Sequence, residues 1–136
     1  MNKKDLEIIG AMLYACEGTK ARKDKRYDRL IYSVELTNSD VRIIKMFCLF
    51  LKRILKVDWA RVRGEIFYYP DLNEKTLINF WSKESGIPRN QFQKSILLKA
   101  KTRFKPSQYG TFKVRYSCKK DFLRLQVIID KVWRGA

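Results

Sequence analysis

The chain of 136 residues is long enough for one domain, and 46% hydrophobic residues supply a packed core, so wholesale disorder is excluded. Thirty Lys and Arg against 14 Asp and Glu give a formal charge of +16, an excess that opposes compaction and points to a polyanionic partner, nucleic acid before an anionic membrane. Histidine is absent, which removes Ser-His-Asp and Cys-His nucleophiles, His-based zinc sites and nucleases with a histidine base. No apolar run reaches the roughly 18 residues of a membrane span. Met1-Asn2-Lys3-Lys4 lead into Asp5 and Glu7, unlike a signal peptide, so a cytoplasmic protein is expected, nucleoid-associated in a prokaryote.

A first helix is predicted from about Lys4 to Glu17, with Leu6, Ile9, Leu13 and Cys16 on one stripe and little bulk at Gly10, Ala11 and Ala15. Glycine in a helix interior costs roughly 1 kcal/mol relative to alanine, so the gap implies a second backbone close by. Gly18 suits a left-handed cap, which leaves Glu17 in a last turn where the helix dipole disfavours a carboxylate. Thr19 to Arg29 is rich in Lys and Arg and reads as a solvated loop or an arm that orders on a polyanion. Ile31 to Thr37 alternates as a half-buried strand. Asn38-Ser39-Asp40 supplies N-cap chemistry for a second helix carrying Val41, Ile44, Phe47, Cys48, Leu51, Ile54 and Leu55.

Trp59 to Tyr69 reads as a strand, Asn73 to Glu84 as a third helix, and Gly86-Ile87-Pro88 as a turn. Gln93 to Leu98 carries a weak strand signal, followed by a basic loop with Lys99, Lys101, Arg103 and Lys105. Thr111 to Cys118 is a strand and Lys120 to Trp133 a final helix. One α+β domain over 1–136 is expected, with helices packed on one face of a mixed or antiparallel sheet. Cys16, Cys48 and Cys118 stand apart among apolar residues, which suits buried, reduced thiols.

The segment Gly10 to Gly18, with Ala11, Leu13 and the terminal Glu17-Gly18 pair, resembles the motif of the LAGLIDADG homing-endonuclease superfamily. It departs from that motif at Met12, Tyr14, Ala15 and Cys16. The resemblance implies an α-β-β-α-β-β-α layout whose open sheet face lies on double-stranded DNA. This chain adds the helix Asn73–Glu84 and lacks an apolar strand between Gly18 and Leu30. A single motif copy implies a homodimer joined through Gly10, Ala11, Leu13 and Tyr14. In that dimer Glu17 would be the catalytic residue, and Glu17 with the carbonyl beside Gly18 would hold Mg²⁺ or another divalent cation for site-specific phosphodiester hydrolysis. A non-cleaving DNA-binding regulator and an RNA-binding or intron-splicing cofactor fit the same charge.

Independently of the motif, strand alternation turns Ser33, Glu35, Thr37, Arg61, Arg63, Glu65, Lys113 and Arg115 to the face away from the core. Arg61, Arg63, Lys113 and Arg115 are the candidate groove and phosphate contacts there. Lys20, Arg22, Lys23 and Lys25 on one loop and Lys99, Lys101 and Arg103 on the other are candidate phosphate grips. Aromatic side chains alternate inward, unlike a single-strand stacking platform.

Overall fold

The computed structural model describes residues 1–24, 26, 29–99 and 108–135. Among these described residues four α-helices and six strands follow in the order α1 (Lys3–Glu17), β1 (Arg22–Asp24), β2 (Arg29–Ile31), β3 (Ser33–Asn38), α2 (Val41–Phe50), β4 (Arg63–Tyr68), α3 (Glu74–Ser85), β5 (Ile96–Leu97), β6 (Thr111–Ser117) and α4 (Lys119–Arg134). The fold is α+β, with the helices packed on a four-stranded mixed sheet.

Local chemistry sets the helix ends. The side chains of Asn2, Asp40 and Asn73 accept hydrogen bonds from the backbone N–H groups of Asp5, Arg42 and Thr76, each satisfying a donor that the first helical turn leaves open. Gly86 ends α3 in the left-handed region at φ 78°, where a Cβ would be strained. Beyond Phe50, α2 widens into a π-helical segment, Leu51–Leu55, and Lys56 closes it in the left-handed conformation.

The sheet runs in the order β3-β6-β4-β5. Its last long strand therefore lies in the middle, antiparallel to both β3 and β4, while the short β5 runs parallel to β4 at the edge. Val34, Leu36, Ile66, Phe112, Val114 and Tyr116 form its inner face and join Ile44, Phe47, Leu55, Trp81, Phe122 and Leu125 from the helical layer in one core. Ring contacts tie the layers together: Trp81 stacks on Phe112 at 4.9 Å, and Tyr14 stacks on Phe47 at 5.7 Å.

Several expectations need correction. The buried side of α1 is Leu6, Gly10, Ala11 and Tyr14, not the Leu6-Ile9-Leu13-Cys16 stripe. A Cβ on Gly10 would overlap the Phe50 ring of the same chain, so the low bulk accommodates an intramolecular neighbour. Gly10, Ala11 and Tyr14 are therefore not available as a dimer face, and only Leu13 of the expected four stays partly exposed. Gly18 is extended, at φ −77° and ψ 154°, not left-handed; a Cβ there would run into the Tyr14 ring. Cys16 is exposed, Cys118 is half-buried, and only Cys48 is fully enclosed, burial pushing its thiol up to about 12.

The basic stretch after Gly18 contains a two-stranded hairpin, β1 with β2, separate from the main sheet. Trp59–Arg61 is a 3₁₀ turn, whose start is capped by the Asp58 side chain accepting from the Ala60 N–H. Strand β4 accordingly begins at Arg63, four residues later than the alternation suggests.

Candidate nucleic-acid interface

The pairing register assembles the outer sheet face in rows. Arg115 of β6 stands directly opposite Glu35 of β3 on one side and Arg63 of β4 on the other. One row along, Lys113 lies between Thr37 and Glu65. Arg61 reaches the same surface from its 3₁₀ turn: its guanidinium donates to the Ser117 carbonyl and lies over the Tyr116 ring at 5.4 Å. The predicted sheet cations are thus brought together, with Arg61 arriving from a turn rather than a strand.

Glu35 organises this face. Only 3% of its side chain is exposed, yet it meets Arg22 at 2.9 Å, Arg115 at 3.4 Å and Lys113 at 3.5 Å. Burial alone would raise its pKa; the Arg22 hydrogen bond and the charges of Arg22 and Arg115 outweigh that and hold it below the ordinary carboxylate range. Lys113 also approaches Glu65 at 3.8 Å. Part of the positive charge is therefore spent on holding the sheet, and Lys113 and Arg115 keep 21% and 30% of their side chains exposed.

A cleft of about 280 Å³ opens beside this row, lined by Arg61, Arg63, Gln93, Arg115 and Ser117. Gln93 and Ser117 were not among the predicted site residues. Gln93 is placed by its backbone N–H donating to the Gly64 carbonyl at 2.8 Å, a parallel extension of the β4–β5 pairing. Its side-chain oxygen accepts from Arg115 Nη1 at 3.2 Å.

The α1 end is built around Tyr14. Its hydroxyl donates to the Thr19 carbonyl and accepts from the Glu35 N–H at 3.2 Å, which fixes the chain leaving the helix against β3. Burial, the largest influence, pushes this phenol up to about 12. Lys20 Nζ donates to the Ala15 carbonyl at 2.9 Å and lies 3.4 Å from the Tyr14 carbonyl, so it caps the helix C-terminus, where the dipole favours a cation. Arg22 is bonded to Glu35. Lys23, on β1, and Lys99, after β5, are exposed. The predicted grips Lys25, Lys101 and Arg103 lie outside the described residues, as does Lys105.

Glu17 stands exposed in the last turn of α1. The helix-end carbonyls near it, those of Tyr14 and Ala15, are engaged by the Lys20 ammonium, and the Gly18 N–H also bonds the Tyr14 carbonyl. A hard divalent ion needs several oxygen ligands, and among the described residues no three His, Cys, Asp or Glu side chains gather. One chain thus places the carboxylate of Glu17 at this end of α1, and the metal site that the resemblance implies calls for a second from a partner copy. Among the described residues no helix is long and apolar enough to cross a membrane. No family model matches the chain, and no curated protein or solved structure matches it.

Proposed function

We propose that the chain binds double-stranded nucleic acid, duplex DNA in the first place, through the outer face of its sheet, as a LAGLIDADG-like domain that binds without cutting. The observation that carries the reading is the Glu35–Arg115–Arg63 row flanked by Lys113 and Arg61. Cations outnumber carboxylates there, and the hairpin of β1 and β2 is tied to its β3 side by the Arg22–Glu35 pair. Phosphate contacts would set position, and strand-borne arginines would read base edges. Phe112 and Tyr116, the aromatic residues of β6, point into the core, which supports a duplex over a stacked single strand.

Binding without cleavage is preferred because Lys20 brings a fixed cation to the helix end that carries Glu17, through the Tyr14 and Ala15 carbonyls. A dimer across α1 of the kind the resemblance implies would have to use the partly exposed side around Ile9 and Leu13, next to Ile43 and Met46. The deciding experiment is fluorescence anisotropy of labelled duplex DNA over a salt series, with structured RNA and single-stranded DNA as competitors. Binding to the duplex that falls steeply and log-linearly with salt supports the reading. Preferential displacement by RNA moves the partner to RNA, and no binding at low salt ends the proposal.

A further inference from the structure

The cleft beside the central row has an electrostatic composition that folding alone does not call for. Arg63 and Arg115 are direct cross-strand partners, and like charges placed opposite each other destabilise a sheet. Arg61 closes the third side. Each guanidinium is fixed by an uncharged acceptor: Arg61 by the Ser117 carbonyl, Arg63 by the carbonyls of Ala60 and Val62 at 2.8 and 3.1 Å, and Arg115 by the Gln93 side-chain oxygen. At Arg61 and Arg63 such bonds set direction without cancelling charge. Among the described residues neither Arg61 nor Arg63 has a carboxylate within ion-pair distance, and Glu35 is divided among Arg115, Arg22 and Lys113. Arg115 Nε is also buried without a hydrogen bond, 3.4 Å from Glu35 Oε1.

We propose that this cleft is a binding site for one phosphate group, held by the guanidiniums of Arg61, Arg63 and Arg115 that line it together with Gln93 and Ser117. Planar guanidinium forks match the oxygens of a tetrahedral oxyanion, and charge-assisted N–H bonds of this type are the strong ones. A carboxylate would offset only one of the cationic charges, whereas a phosphate brings more charge and several acceptor oxygens. The opening of about 280 Å³ admits a phosphate together with its ester substituent. The inference rests on the nucleic-acid reading only for the source of the phosphate, which is either a backbone diester or a terminal or free monoester.

The test is two-dimensional NMR of the arginine Nε–Hε groups during titration with inorganic phosphate against chloride at constant ionic strength. The expected result is a saturable shift confined to Arg115, Arg61 and Arg63, with the exposed-site variant Arg61→Gln weakening phosphate about tenfold. Arg115→Gln serves as the second variant, scored only if its melting curve is cooperative. Shifts that stay linear and spread over Arg42, Arg89 and Arg134 overturn the site, as does saturation unchanged by both variants. Competition then separates the sources: a short 5′-phosphorylated oligonucleotide against its unphosphorylated twin reports a monoester, and an unphosphorylated duplex reports a diester. Saturating phosphate with no duplex binding removes the nucleic-acid reading and leaves the site standing. Duplex binding that ignores Arg61→Gln and Arg115→Gln does the reverse.

Discussion

The ring of Phe50 lies against the backbone of Gly10 with no room for a side-chain carbon between them. Gly10→Ala should therefore destabilise the monomer. Overpacking costs about 1–3 kcal/mol, against a gain of up to about 1 kcal/mol in helix propensity. A lower urea midpoint with an unchanged sedimentation coefficient is expected. An unchanged or higher midpoint, or a change of association state alone, would contradict the packing seen here.

Tyr14 is the second anchor of α1. Tyr14→Phe leaves the buried Glu35 N–H without the acceptor it has now, which should cost about 1–3 kcal/mol and speed hydrogen exchange at that amide. The phenol's folded pKa, about 12, is above its unfolded value near 10, so its contribution is complete below the unfolded value. That contribution is lost as pH climbs towards about 12, and the phenylalanine variant should show a shallower alkaline decline. Identical alkaline profiles would remove the role assigned to the hydroxyl.

Glu35 works in the opposite direction. Its folded pKa is depressed, so its stabilisation is present above the unfolded carboxylate value near 4.3 and is lost as pH falls through the folded one. Glu35→Gln should cost about 1–3 kcal/mol at neutral pH, less than for a fully enclosed pair because Arg22 and Arg115 are partly solvated. The acid limb of the stability curve should flatten. Releasing three cations on the outer face should also tighten duplex binding, and weaker binding by a folded variant would argue against that face.

Charge reversal discriminates a defined interface from a diffuse one. Arg61→Glu with Arg63→Glu should weaken duplex affinity by at least tenfold more than Lys75→Glu with Lys83→Glu on the exposed side of α3, and should reduce the salt slope by about one to two. Circular dichroism confirms that each pair remains folded. Equal losses from the two pairs would mean that the excess charge acts without a preferred surface.

Glu17→Gln should leave duplex affinity equal or slightly higher and should change neither Mg²⁺ affinity nor plasmid nicking. Magnesium-dependent nicking by the native chain that disappears in this variant would restore the catalytic role and make Lys20 its competitor for the same helix end.

The strands over Ser33–Asn38 and Thr111–Ser117 are legible because apolar and polar residues alternate along both, and so are Lys113 and Arg115, the cations that the second turns outward. The orientation of α1 is not. Large apolar side chains at Ile9 and Leu13 dominate a helical stripe, whereas the core uses the missing bulk of Gly10 to admit Phe50 and the hydroxyl of Tyr14 to hold β3. Hairpin β1–β2 escapes detection because polar pairing, with Arg26 and Arg29 beside Asp24, replaces an apolar face. Arg61 looks like a strand residue by alternation, but Asp58 caps a turn there instead. Gln93 stands at the start of a weak strand signal, but its place beside Arg115 follows from a parallel pairing with β4 that no local pattern encodes.

Strand β6 fills the gap between β3 and β4, which do not pair with each other. A chain emerging from the ribosome therefore carries two strand edges that wait for residues 111–117 before either acquires its antiparallel neighbour. Closing loops of that length costs chain entropy, which favours local helix formation ahead of the central pairing. During that interval the unpaired backbone of both edges is open to intermolecular strand addition. The strong positive charge then acts as a kinetic safeguard, because like-charged nascent chains repel one another before the central seam closes.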